Sequence, residues 1–117
     1  MRAPTLPDCW GDGTADPIPL SDERVAQIAK ALAHPARLGI LEQFEGCQPH
    51  IATEIVGGCA LAQSTVSEHL RILREAGILV TRKDGPRIWY CMRRDVLRDF
   101  VRAVDELAGT AVPASSR

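Results

Sequence analysis

Two sets of side chains in this sequence could do chemistry. The first is four thiols, Cys9, Cys47, Cys59 and Cys91, spaced 38, 12 and 32 residues apart. No CxxC or CxC occurs, so the common zinc spacings are absent. Without an export signal, disulfides are not the default expectation, and a small buried hydrophobe is the commonest fate of such a cysteine, above all for Cys91. The second set is polar. Gln63, Ser64, Thr65, Ser67 and Arg71 bring hydrogen-bond donors and acceptors without bulk, suited to base edges and phosphates. Arg82, Lys83 and Arg87 follow as a cluster of cations. No nucleophile–base pairing, phosphate-binding loop or open metal site stands out, so an enzyme is not expected.

Charge supports a polyanion-facing surface. The 117-residue chain carries a net charge of -1. Residues 1–63 nevertheless hold four basic and eight acidic side chains, against nine basic and five acidic in residues 64–102. A basic half on a near-neutral chain suits a partner whose phosphates dominate affinity. The length fits one domain, and no apolar run approaches the roughly 18 residues of a membrane span. With neither a secretory signal nor a transit peptide legible at the N-terminus, a soluble cytoplasmic protein is expected.

The elements that must position these residues are read from periodicity. Residues 1–20, rich in Pro, Gly and Asp, read as an irregular arm, residues 21–108 as the folded domain, and 109–117 as a flexible tail. Ser21 is a good N-cap for a first helix running to about Ala33, with Val25, Ile28, Ala29 and Leu32 at 3-4-3 spacing. His34 caps a second helix that starts at Pro35, buries Leu38, Leu41 and Phe44, and ends at Gly46. A short third helix spans about 51–56, with Ile51, Ile55 and Val56 inward. A fourth covers about Gln63 to Ala76 on a Val66, Leu70, Leu73 stripe, with Gly77 as its cap.

The period then changes to two. Ile78–Arg82 and Arg87–Met92 read as strands joined by Lys83-Asp84-Gly85-Pro86, where Asp-Gly is a strong hairpin signal. Ile88, Tyr90 and Met92 face one way, and Trp89 and Cys91 the other. Asp95 caps a fifth helix, Val96 to Leu107. Its apolar face, with that of the first helix, exceeds what one small domain covers, so Val25, Ile28, Leu97, Phe100, Val101 and Val104 are assigned to a homodimer seam. His69 sits beside the fourth-helix stripe and His50 faces solvent. The order of helices and hairpin, with the tight Gly57–Leu61 turn, is that of a winged helix-turn-helix, mainly α with a β-hairpin wing.

The motifs also resemble a family. Ala31-Leu32-Ala33-His34-Pro35-Ala36-Arg37-Leu38 with Ile40-Leu41 is similar to the "ALadPtRlrIL" segment of ArsR/SmtB-type repressors. Leu61 to Leu70 with Leu73-Arg74-Glu75-Ala76-Gly77 resembles that family's "LsQstvShHLkvLreaGl" signature, and Asp84 to Tyr90 its wing. The likeness covers about residues 25–107. It implies a homodimeric repressor, bound to double-stranded operator DNA and released by a metal, metalloid or thiol-reactive signal. Gln63, Ser64, Thr65, Ser67 and Arg71 would meet the major groove, and Arg82, Lys83 and Arg87 the flanking backbone.

The likeness also bears on the signal. At the register of the family's helix-three CxC this chain has His50-Ile51-Ala52, and its fifth helix contains no His for a zinc site there. Cys47 directly follows the second helix, where some arsenic-responsive members place a sensing thiol, and their partner thiols come from the N-terminal arm, where Cys9 lies here. The resemblance thus implies Cys9 and Cys47, to which Cys59 could add a third thiolate, for trivalent arsenic, antimony, mercury or cadmium; no obligatory cofactor is expected. A thiol redox sensor on the same fold and a protein-binding winged helix remain as alternatives.

Overall fold

The computed structural model describes residues 19–44, 50–58 and 60–109. Helix α1 (Asp22–Leu32) starts as its sequence dictates, with Ser21 Oγ accepting from Arg24 N at 3.2 Å and Asp22 and Glu23 in the first turn. Helix α2 (Pro35–Glu42) has Pro35 at its first position and His34 as its cap, with His34 Nδ1 accepting from Ala36 N at 3.1 Å. A two-residue strand β1 (His50–Ile51) precedes α3 (Ala52–Gly57). Helix α4 (Gln63–Glu75) leads into strands β2 (Leu79–Asp84) and β3 (Arg87–Met92), and α5 (Arg94–Ala108) closes the domain.

One large cluster forms the main core. Ile28 and Ala31 of α1, Ile40, Leu41 and Phe44 in and after α2, Ile55 of α3, and Val66, Leu70 and Leu73 of α4 pack with Ile78, Leu79 and Met92. The sheet is antiparallel in the order β1-β3-β2, with Leu79 opposite Met92 and Asp84 opposite Arg87. Alternation along β3 sends Tyr90 and Met92 to this core, while Trp89 and Cys91 form a second cluster with Ile51 and Val80 on the other face. No helix among the described residues is long and apolar enough to cross a membrane.

Several expectations are corrected. Leu38 is exposed, and Ile40 takes its place in the core beside the expected Leu41 and Phe44. Ile28, expected at a dimer seam, is fully buried inside the subunit and has no surface to offer. Asp95 is not the cap of α5. The helix starts two residues earlier, at Arg94, Arg93 occupies the cap position, and Asp95 in the first turn binds the Arg93 guanidinium at 2.9 and 2.6 Å. That partner, against some burial, holds the Asp95 carboxyl below its usual range. His50 does not face solvent: it pairs with Tyr90 in the sheet, packs edge-on against Phe44, and buries its Nε2 with no hydrogen-bond partner. The wing is also longer than expected. The strands run to Asp84 and from Arg87, leaving a two-residue turn with Gly85 at φ +61°.

Candidate nucleic-acid interface

Helix α4 is set by its neighbours at both ends. The chain leaves α3 through Gly58, whose Cα faces the end of the Gln43 side chain just after α2, so a larger residue there would have to displace that side chain. At the far end Gly77 adopts φ +79°, and Arg24 reaches in to donate from Nη1 to Ala76 O. Gln27 Nε2 donates to Glu75 O at 3.2 Å. Two α1 side chains therefore satisfy carbonyls that the end of α4 would otherwise leave open.

With Val66, Leu70 and Leu73 buried, the 3.6-residue turn puts Ser64, Ser67, Glu68, Arg71 and Glu75 on the outward side. Gln63 and Thr65 flank them, and all four of Gln63, Ser64, Thr65 and Ser67 are exposed. Arg71 does not stand alone there. Its guanidinium binds Glu68 through two nitrogens, one at 3.1 Å, and Glu75 Oε2 at 2.6 Å. These carboxylates push the Arg71 pKa up, and the Arg71 hydrogen bond holds the Glu68 carboxyl below its usual range. The sequence reading took Arg71 without these partners, although carboxylates three residues before and four residues after an arginine are a legible helical pattern.

The wing separates its cations. Asp84 opposes Arg87 and Arg82 opposes Trp89, so Arg82 and Arg87 share one face, while Lys83 lies opposite Ile88 on the other. A backbone lying along the hairpin would thus meet Arg82 and Arg87 from one side or Lys83 from the other.

Of the expected seam residues, Val101 and Val104 are exposed on α5, and Leu107 beyond them is 82% exposed. Leu97 and Phe100 are half-buried against the core, and Val25 lines a groove with Leu20, Ala26, Ala103 and Leu107. Cys9, Cys47 and Cys59 lie outside the described residues. Among the described residues no group of three His, Cys, Asp or Glu side chains is placed to hold a metal. Cys91 is buried as expected, but it is disulfide-bonded, which corrects its reading as an inert hydrophobe.

A short helix, a tight glycine turn, an exposed second helix and a β-hairpin define a winged helix-turn-helix. A family model described as a helix-turn-helix domain matches residues 32–82. An HTH-type transcriptional regulator of Methanocaldococcus jannaschii is 35% identical over 85 residues, 73% of this chain and 96% of that one. The arsenical resistance operon repressor of Staphylococcus aureus is 29% identical over 71% of this chain and 79% of its own. The homodimeric winged helix-turn-helix DNA-binding domain from Mycobacterium bovis, determined by solution NMR, superposes with a TM-score of 0.59 at 30% identity, covering 75% and 91% of the two chains. The chain belongs to the ArsR family of transcriptional regulators, which are not enzymes.

Proposed function

We propose that the protein is a homodimeric repressor that inserts α4 into the major groove of operator DNA and is released by a thiol-binding metalloid or heavy metal, trivalent arsenic first among them. The outward polar ridge of α4, beside a wing that carries three cations, is the observation that carries the DNA part. Gln63, Ser64, Thr65 and Ser67 read base edges, while the wing holds the flanking phosphates through Arg82 and Arg87 on one face or Lys83 on the other. The exposed Val101, Val104 and Leu107 form the seam with a second copy, joined by Val25, Leu97 and Phe100 where these edge the same face. Cys9, Cys47 and Cys59 take the inducer. Its binding shifts the dimer away from the geometry in which both recognition helices match half-sites one turn apart. The similarity to an arsenical resistance repressor supports the choice of inducer.

A second reading rests on the disulfide at Cys91. A disulfide takes two thiols out of the set that could hold a metal, so oxidation and metal capture would compete on this chain. The test is fluorescence anisotropy of the reduced full chain on duplex DNA from its own upstream region, titrated with arsenite. Release at near-stoichiometric arsenite, lost in Cys47→Ser with DNA affinity retained, is the expected result. Unchanged release in Cys47→Ser overturns the thiol site. Release by peroxide but not by arsenite, lost in Cys91→Ser, favours the redox reading.

A further inference from the structure

The corner where α1, α2 and α4 meet holds a constellation that the DNA-reading ridge does not use. His69, on α4, is the one buried polar side chain among the described residues, 8% exposed. Its Nδ1 accepts from Arg37 Nε at 3.2 Å. An accepting Nδ1 carries a lone pair, so the ring is neutral, with its proton on Nε2. The same guanidinium donates from Nη1 to Lys30 O at 3.1 Å and to Ala31 O at 3.4 Å, carbonyls at the end of α1. The His34 ring lies with its centroid 4.7 Å from that of His69, tilted by 55°. One arginine of α2 thus joins the end of α1 to the flank of α4.

The surrounding charges oppose a proton on His69. Burial, then the His34 and Arg37 charges, hold its imidazole below the ordinary range, and only Glu68 pulls the other way. Glu68 is itself committed to Arg71. From α1, Lys30 lines the adjoining groove with Arg37 and Arg71. β2 packs on α4 through the buried Leu79, which carries no charge.

We propose that His69 is a positioning residue for the DNA-contact helix: its neutral ring ties α4 to the α1–α2 corner through Arg37, and protonation of that ring releases α4 and weakens DNA binding. A proton taken from solvent onto Nδ1 replaces the lone pair with an N–H. The Arg37 Nε–H then faces a donor, that hydrogen bond breaks, and the guanidinium keeps only its α1 carbonyls. The sign is distinctive. Protonating exposed histidines adds positive charge and strengthens attraction to phosphates, whereas this tie makes binding weaker in acid. The inference rests on α4 being the helix that enters the groove.

Two measurements on the full chain separate the tie from that reading. Amide exchange of α4 in the free protein, corrected for intrinsic rates, is followed by NMR at pH 7.5 and 5.5. Anisotropy on the upstream duplex is measured at the same two pH values and fixed ionic strength. Wild type should lose α4 protection and up to about tenfold in affinity on going to pH 5.5, tenfold being the full effect of one net hydrogen bond. His69→Asn keeps an acceptor where Nδ1 stood but cannot take the proton, so both responses should vanish. His69→Leu should resemble the acid state at pH 7.5. Unchanged α4 protection in wild type, or an equal loss in His69→Asn, overturns the tie. Protection that falls while DNA affinity holds supports the tie and overturns the placement of α4 on DNA.

Discussion

Helices α4 and α5 have similar lengths, 13 and 15 residues, and opposite relations to the rest of the subunit. α4 buries Val66, His69, Leu70 and Leu73, and other elements bond to it along its flank and at its C-terminal end. α5 has no fully buried residue, and its most exposed apolar side chains lie in its last two turns. A fixed helix with a polar outer ridge suits the proposed role of reading head, since its side chains must arrive in register. A helix with an uncovered apolar face needs a second surface to complete it.

Core truncation gives the largest contrast. Leu73→Ala, at a site with no exposure, should cost about 2–5 kcal/mol in denaturant unfolding, and a loss below about 1 kcal/mol would show that α4 is not held by the core. Charging the open face comes next. Val101→Asp with Leu107→Asp should raise the dimer dissociation constant at least roughly tenfold by sedimentation equilibrium. An undisturbed dimer would place the seam elsewhere. The smallest effect is expected on the reading ridge. Glu68→Gln removes a negative charge and loosens the Arg71 clamp, so DNA affinity should rise about two- to fivefold and the salt dependence should steepen by up to about one phosphate contact. A weaker complex would mean that Glu68 accepts from a base, as a carboxylate does from cytosine.

What was legible in the sequence follows the same division. α4 and the hairpin carry strong local signals: an i, i+4, i+7 stripe closed by glycine, then a two-residue alternation across Asp-Gly. Caps whose partners lie within three residues, Ser21 and His34, were equally plain. The misreadings arose where a long-range contact decides. Leu38 fits a helical stripe, but in the packed subunit Ile40 is the one turned inward and Leu38 stays outside. Ile28 is apolar like the α5 face, and only the packing reveals that the core cluster already encloses it. β1 is two residues long and exists through its pairing with Tyr90 and Trp89, which no local pattern announces. The site was legible to the same degree. The residue types on the ridge were found, while the carboxylates that engage Arg71 and the side on which Lys83 lies were not.

Arg24 and Gln27 grip the last carbonyls of α4 from a helix whose next side chain, Val25, lines the groove shared with α5. Helix α1 is therefore a stiff lever, with one arm at the proposed seam and the other on the reading head. A pivot at the seam would be carried to the DNA side with little slack, and the separation of the two reading heads would become the dimer's ruler. Under the proposed function, the spacing between half-sites, more than the bases within either one, would then measure whether the seam is in its DNA-bound or its released setting.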